Sequence, residues 1–118
     1  MPTTTSYNRG AVVLLPFPFS DQSAVKLRPA IVVHPPYPSE DLIIVAVSSA
    51  SGSLRPGECA LKHWREAGLL HPSFLKRAVA TVSSGLVRRQ LGEFHPEDIA
   101  QLESALRVWF DLPGGHGS

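Results

Sequence analysis

The stretch VVLLPFPFSDQSAVKLRPAIVV, residues 12–33, decides how this chain reads. Two apolar runs flank a polar loop, and the loop ends on Lys26 and Arg28. The first run is rich in β-branched residues without helical spacing, which predicts a strand over residues 10–15. Pro16 and Pro18 bracket Phe17, so that end reads as a sheet edge or a departing loop, because proline gives no N–H to a ladder. The second run predicts a strand over residues 29–34. Arg28 stands at its entrance, and Pro29 holds the Arg28 backbone extended. A planar guanidinium fixed in this way suits two-point recognition of a phosphate, with Ser20, Asp21 and Lys26 offering further polar groups on the same loop.

Working outward, residues 42–47 form a continuous apolar run of the kind that a strand buried on both faces requires. It ends in Ser48 and Ser49 and a Ser/Gly loop. A short strand is expected over residues 58–61, one helical turn over residues 62–68, and further strands over residues 74–82 and 86–91. The period then changes. Ile99, Leu102, Leu106, Trp109 and Phe110 fall at helical spacings, with Pro96 suited to the first helical position and Glu97 and Asp98 complementing the positive helix start. These patterns give a mainly β domain, a small barrel or sandwich, closed by one C-terminal α-helix.

Composition narrows the function classes. With 118 residues and 43% hydrophobic content, the chain is long enough for one core and short for two. The expectation is a single domain over residues 1–112 with a flexible tail at 113–118. No apolar run is long enough to cross a bilayer, and the start lacks the pattern of a secretory signal. The single cysteine, Cys59, allows no internal disulfide and reads as a small core residue; the expected location is cytoplasmic. The net charge of +1 gives no general basic excess, although cations gather in the middle of the chain and acids around the last helix. The five histidines show no metal-ligand spacing, and phosphate-binding glycine motifs and a G-x-S-x-G elbow are absent. No metal and no cofactor is expected.

Residues 9–33, RGAVVLLPFPFSDQSAVKLRPAIVV, resemble the opening of the MazF/PemK family of bacterial toxins, and the likeness continues through IIVAVSS, WREAGLLHPSFLK, RQLGEF and the last helix. The resemblance implies an SH3-like small β barrel with a C-terminal helix, a homodimer, a cognate antitoxin, and the role of toxin in a type II toxin–antitoxin system. It also implies metal-independent, sequence-specific endoribonuclease activity on single-stranded RNA, leaving 2′,3′-cyclic phosphate and 5′-hydroxyl ends. On this resemblance Arg28 corresponds to the catalytic arginine, and Ser48 or Ser49 to the hydroxyl residue. Ser20, Asp21 and Lys26 become candidate RNA-binding residues.

Three departures stand out. Ala11 occupies a position where members often carry an acid, serine replaces threonine at the end of the third strand, and FLKRAVATV presents Lys76 and Arg77 where some members carry an aspartate. The general base is therefore unassigned, and the alternative expectation is an inactive, toxin-like binding protein that engages an antitoxin or another protein. The similar gyrase-poison toxins depend on an exposed Trp-bearing helix tip, whereas Trp109 here belongs to the apolar stripe.

Overall fold

The computed structural model describes residues 7–16, 26–34, 41–49 and 53–114. Among these lie β1 (Ala11–Pro16), β2 (Leu27–Val32), β3 (Asp41–Ser49), β4 (Cys59–Ala60), β5 (Ser73–Ser83), β6 (Arg89–Glu93) and α1 (Pro96–Trp109), with a 3-10 turn at Ser84–Leu86. The strands form one sheet in the order β4-β5-β3-β2-β1-β6, with antiparallel neighbours throughout. Because β1 pairs on both sides, its proline-rich end is a departing end and not a sheet edge. Pro16 sits on the last rung, opposite Leu27, where a missing N–H costs least.

Alternation along the strands supplies both faces of the sheet. Val12, Ile31, Val45, Val47 and Leu75 pack with Leu102 of α1 in one core, while Val13, Leu15, Ala30, Val32, Ile44 and Val82 build a second core on the other face. A two-sided core needs a sheet that curls. The register shifts at Val12/Val13 and at Val45/Val47 provide the local twist, giving an open, small barrel-like sheet. Each fully buried aliphatic side chain contributes about 1.5–3 kcal/mol, so these two cores dominate stability.

Helix α1 starts as its sequence predicts. Pro96 occupies the first turn, and the His95 Nδ1 accepts a hydrogen bond from the Glu97 N–H at 3.1 Å. Leu102 and Ala105 are buried, Ile99, Leu106 and Trp109 half-buried, but Phe110 caps the helix and is 56% exposed. Trp109 also donates its indole N–H to the Gly57 carbonyl at 2.8 Å.

Asp98 does more than complement the positive helix start. It is 1% exposed and accepts hydrogen bonds from the backbone N–H groups of Lys62 (3.0 Å) and His63 (2.9 Å). It bolts the helix to the turn at residues 62–68. That turn closes as a Schellman motif: the Leu69 N–H donates to the Trp64 carbonyl and the Gly68 N–H to the Arg65 carbonyl, with Gly68 at φ +84°. Its glycine is doubly required, because a Cβ there would lie 2.1 Å from the Leu91 carbonyl oxygen. Gly92 answers from β6, where a Cβ would lie 2.6 Å from the Ala67 carbonyl oxygen. These two bare backbones let the turn lie flat on β6. None of the described helices is long and apolar enough to cross a membrane.

Candidate active site

Strand register gathers the polar residues at one end of the sheet. β1 sets Leu15 opposite Arg28 and Leu14 opposite Arg89; β3 sets Ser49 opposite Ser73. β2 and β3 pair antiparallel from Val32–Ile44 to Ala30–Ala46, so the strand ends that carry Arg28 and Ser48 run to the same end of the sheet. There the strand ends surround an open cavity of about 410 Å³. Arg28, Ser48, Ser49, His71, Ser73 and Arg89 supply its polar lining, and Leu14, Pro29, Val47, Leu69, Leu70 and Leu91 its apolar walls. The close approach of Gly68 and Gly92 is what carries residues 69–71 over this end of β6.

The residues singled out from sequence fall into three groups. Arg28, Ser48 and Ser49 lie together on the cavity; Arg28 is exposed and has no ion-pair partner among the described residues. Lys26 is exposed just ahead of β2, outside the cavity lining. Ser20 and Asp21 lie outside the described residues. Three lining residues escaped the sequence reading: His71, Ser73 and Arg89. His71 precedes Pro72 as Arg28 precedes Pro29, the one local signal that pointed to it. The Ser73 hydroxyl donates to the His71 carbonyl at 2.7 Å, fixing that turn.

A second polar cluster lies beside α1. The His63 ring nitrogens stand 3.1 Å from a Glu66 carboxylate oxygen and 3.0 Å from one of Glu97, and Lys62 Nζ is 3.7 Å from Glu97. Donation to Glu97, reinforced by Glu66, raises the His63 pKa above its ordinary value, while the hydrogen bond from His63 lowers that of Glu97, with Lys62 assisting. His63, His95 and Glu97 bring potential metal ligands within 4.8 Å of one another. Their geometry opposes a shared ion. The two imidazoles stack face to face, centroids 3.7 Å apart and planes 18° from parallel, so no point within bonding distance lies in the plane of both rings. The cluster is an ion-pair latch between the turn at residues 62–68 and the helix start.

The chain matches the model of the PemK-like, MazF-like toxins of type II toxin–antitoxin systems over residues 8–110. It belongs to this toxin family. Among solved structures, the toxin is similar to an endoribonuclease from a mycobacterial species, with a TM-score of 0.73 at 17% identity, covering 95% of this chain and 98% of that one. It is similar to a MazE–MazF structure from Deinococcus radiodurans, with a TM-score of 0.70 at 20% identity over 92% of this chain and 98% of that one. A mycobacterial endoribonuclease in complex with its cognate antitoxin gives a TM-score of 0.70 at 17% identity, over 91% and 95% of the two chains. At these identities the likeness establishes the fold: an open antiparallel sheet finished by a C-terminal helix. Comparison with curated proteins gives no match.

Within this toxin fold, the positions lacking an acid can now be located. Ala11 is 1% exposed in the second core, and Lys76 and Arg77 are exposed on β5, outside the cavity lining. No aspartate or glutamate lines the cavity among the described residues.

Proposed function

We propose that this toxin cleaves single-stranded RNA as a sequence-specific endoribonuclease, by transesterification at the Arg28 cavity. The observation that carries the reading is an exposed guanidinium, without an ion-pair partner among the described residues, beside two serine hydroxyls in an open cavity of about 410 Å³. RNA brings its own nucleophile. The ribose 2′-hydroxyl attacks the adjacent phosphorus, the bond to the 5′-oxygen breaks, and the products carry a 2′,3′-cyclic phosphate and a 5′-hydroxyl. The protein then has to hold the phosphate in line and stabilise the charge that develops on its non-bridging oxygens. Arg28 is the principal donor in this scheme, and Ser48 or Ser49 orients an oxygen of the same phosphate. Lys26 neutralises a neighbouring phosphate; Ser20 and Asp21, which lie outside the described residues, are further candidate RNA-binding residues.

The toxin is proposed to act in the cytoplasm as a homodimer, held in check by an antitoxin encoded alongside it. An acidic antitoxin segment over the cavity would compete with RNA phosphate, and salt would weaken its grip. A second reading, an inactive toxin-like binding protein, has one observation in its favour: the missing carboxylate at the cavity. One experiment separates the two. Purified protein is incubated with a long mixed-sequence transcript in EDTA beside Arg28→Ala. Cleavage by the wild type that the variant loses supports the nuclease, whereas no cleavage by either protein supports the binding module.

A further inference from the structure

We propose that His71 is a catalytic residue of this toxin, accepting the proton of the attacking 2′-hydroxyl; the inference rests on the nuclease reading above. Breaking the RNA chain this way requires a proton acceptor beside the phosphate, and the cavity lining is restrictive. Its other polar side chains are Arg28, Arg89 and three serines. Guanidinium stays charged at any ordinary pH and cannot take a proton, and a serine hydroxyl is too weak a base. No carboxylate lines the cavity among the described residues. Among the described lining residues, the His71 imidazole is the remaining base.

The His71 backbone is also held in place. Pro72 keeps its backbone extended, and the Ser73 hydroxyl donates to its carbonyl at 2.7 Å. The Schellman turn at Gly68, pressed against β6, fixes where residues 69–71 cross the cavity mouth.

The step balances without a co-reactant. A ring nitrogen of neutral His71 takes the 2′-hydroxyl proton as the 2′-oxygen bonds to phosphorus. The phosphorus–5′-oxygen bond breaks, the leaving oxygen takes a proton from water, and His71 returns its proton to solvent. Arg28 and Arg89 hold the non-bridging oxygens meanwhile.

The test is single-turnover cleavage across pH at the site the wild type itself cuts, comparing wild type with His71→Gln. Binding is measured in parallel on the same RNA with a 2′-deoxyribose at the cut nucleotide. The wild-type rate should fall about tenfold per pH unit on the acidic limb, where the base is protonated. His71→Gln should bind the deoxy-substituted RNA as tightly, cleave about 10²–10⁴-fold more slowly, and lose that acidic limb. Added imidazole should partly restore His71→Ala. A variant that cleaves like wild type, or keeps the acidic limb, overturns the role of His71 and leaves the nuclease reading standing. So does an acidic limb that persists in His71→Gln and disappears in Asp21→Asn, which makes the aspartate the base. A wild type that cuts no RNA at any pH removes the nuclease reading, and this inference with it.

Discussion

Arg28 lines the cavity from a backbone that the following proline has already restricted, so in the proposed reaction the freedom it loses on gripping a phosphate is that of its side chain alone. A preorganised donor of this kind is worth about 10²–10³ in rate, so Arg28→Ala should lower the single-turnover rate by that factor while RNA binding weakens far less. Arg28→Lys should recover only part of the loss, because an ammonium cannot make the two parallel contacts of a guanidinium. Both serines line the cavity with Arg28, so Ser48→Ala or Ser49→Ala is expected to reduce cleavage, read as kcat on one substrate. At this scale the sequence was legible where neighbours along the chain restrict each other, as with Arg28 and Pro29. Arg89 was not legible, because only the pairing of β1 with β6 brings it to the cavity.

At the scale of elements, the turn at residues 62–68 joins helix to cavity. Asp98 and the His63–Glu97 pair anchor its start, and the contact of Gly68 with Leu91 anchors its end. Gly68→Ala combines a positive φ with a clash against backbone, so it should destabilise the fold by more than about 1 kcal/mol, measured by urea denaturation. The ion-pair latch adds a pH dependence. His63, raised above 6.5, contributes stability that is complete below that value and lost as pH climbs through its raised pKa. Glu97, lowered below 4.5, contributes stability that is present above that value and lost as pH falls through its lowered pKa. The pair therefore acts from mildly acidic to near-neutral pH. Between about pH 6 and about pH 8.5 the wild-type urea midpoint should drop more than that of Glu97→Gln. The strands and the helix were readable from periodicity and proline placement, since those signals are local. The burial of Asp98 was not: its partners are the N–H groups of residues 62 and 63, and backbone donors leave no mark in the sequence.

For the whole molecule, a net charge of +1 means that RNA attraction rests on where cations stand and not on how many there are. Arg28 and Arg89 line the cavity and Lys26 is exposed ahead of β2, so three phosphate contacts should give RNA affinity a log–log salt slope of about −2. Arg89→Ala should flatten that slope by about 0.7 without changing the preferred cleavage sequence. The resemblance carried the fold because it spans the whole β order and the final helix, and the family match over residues 8–110 agrees. The cavity is a different matter. It is assembled from β1, β2, β3, β6, the start of β5 and the segment before it, and no single stretch of sequence encodes that meeting.

The most direct measurement is end-group analysis of RNA exposed to the purified toxin in EDTA, with Arg28→Ala alongside. The account predicts fragments whose 5′ ends accept labelled phosphate from a kinase without prior dephosphorylation, released about 10²–10³-fold more slowly by the variant. Intact RNA, 5′-phosphate ends, or equal cleavage by Arg28→Ala would contradict it.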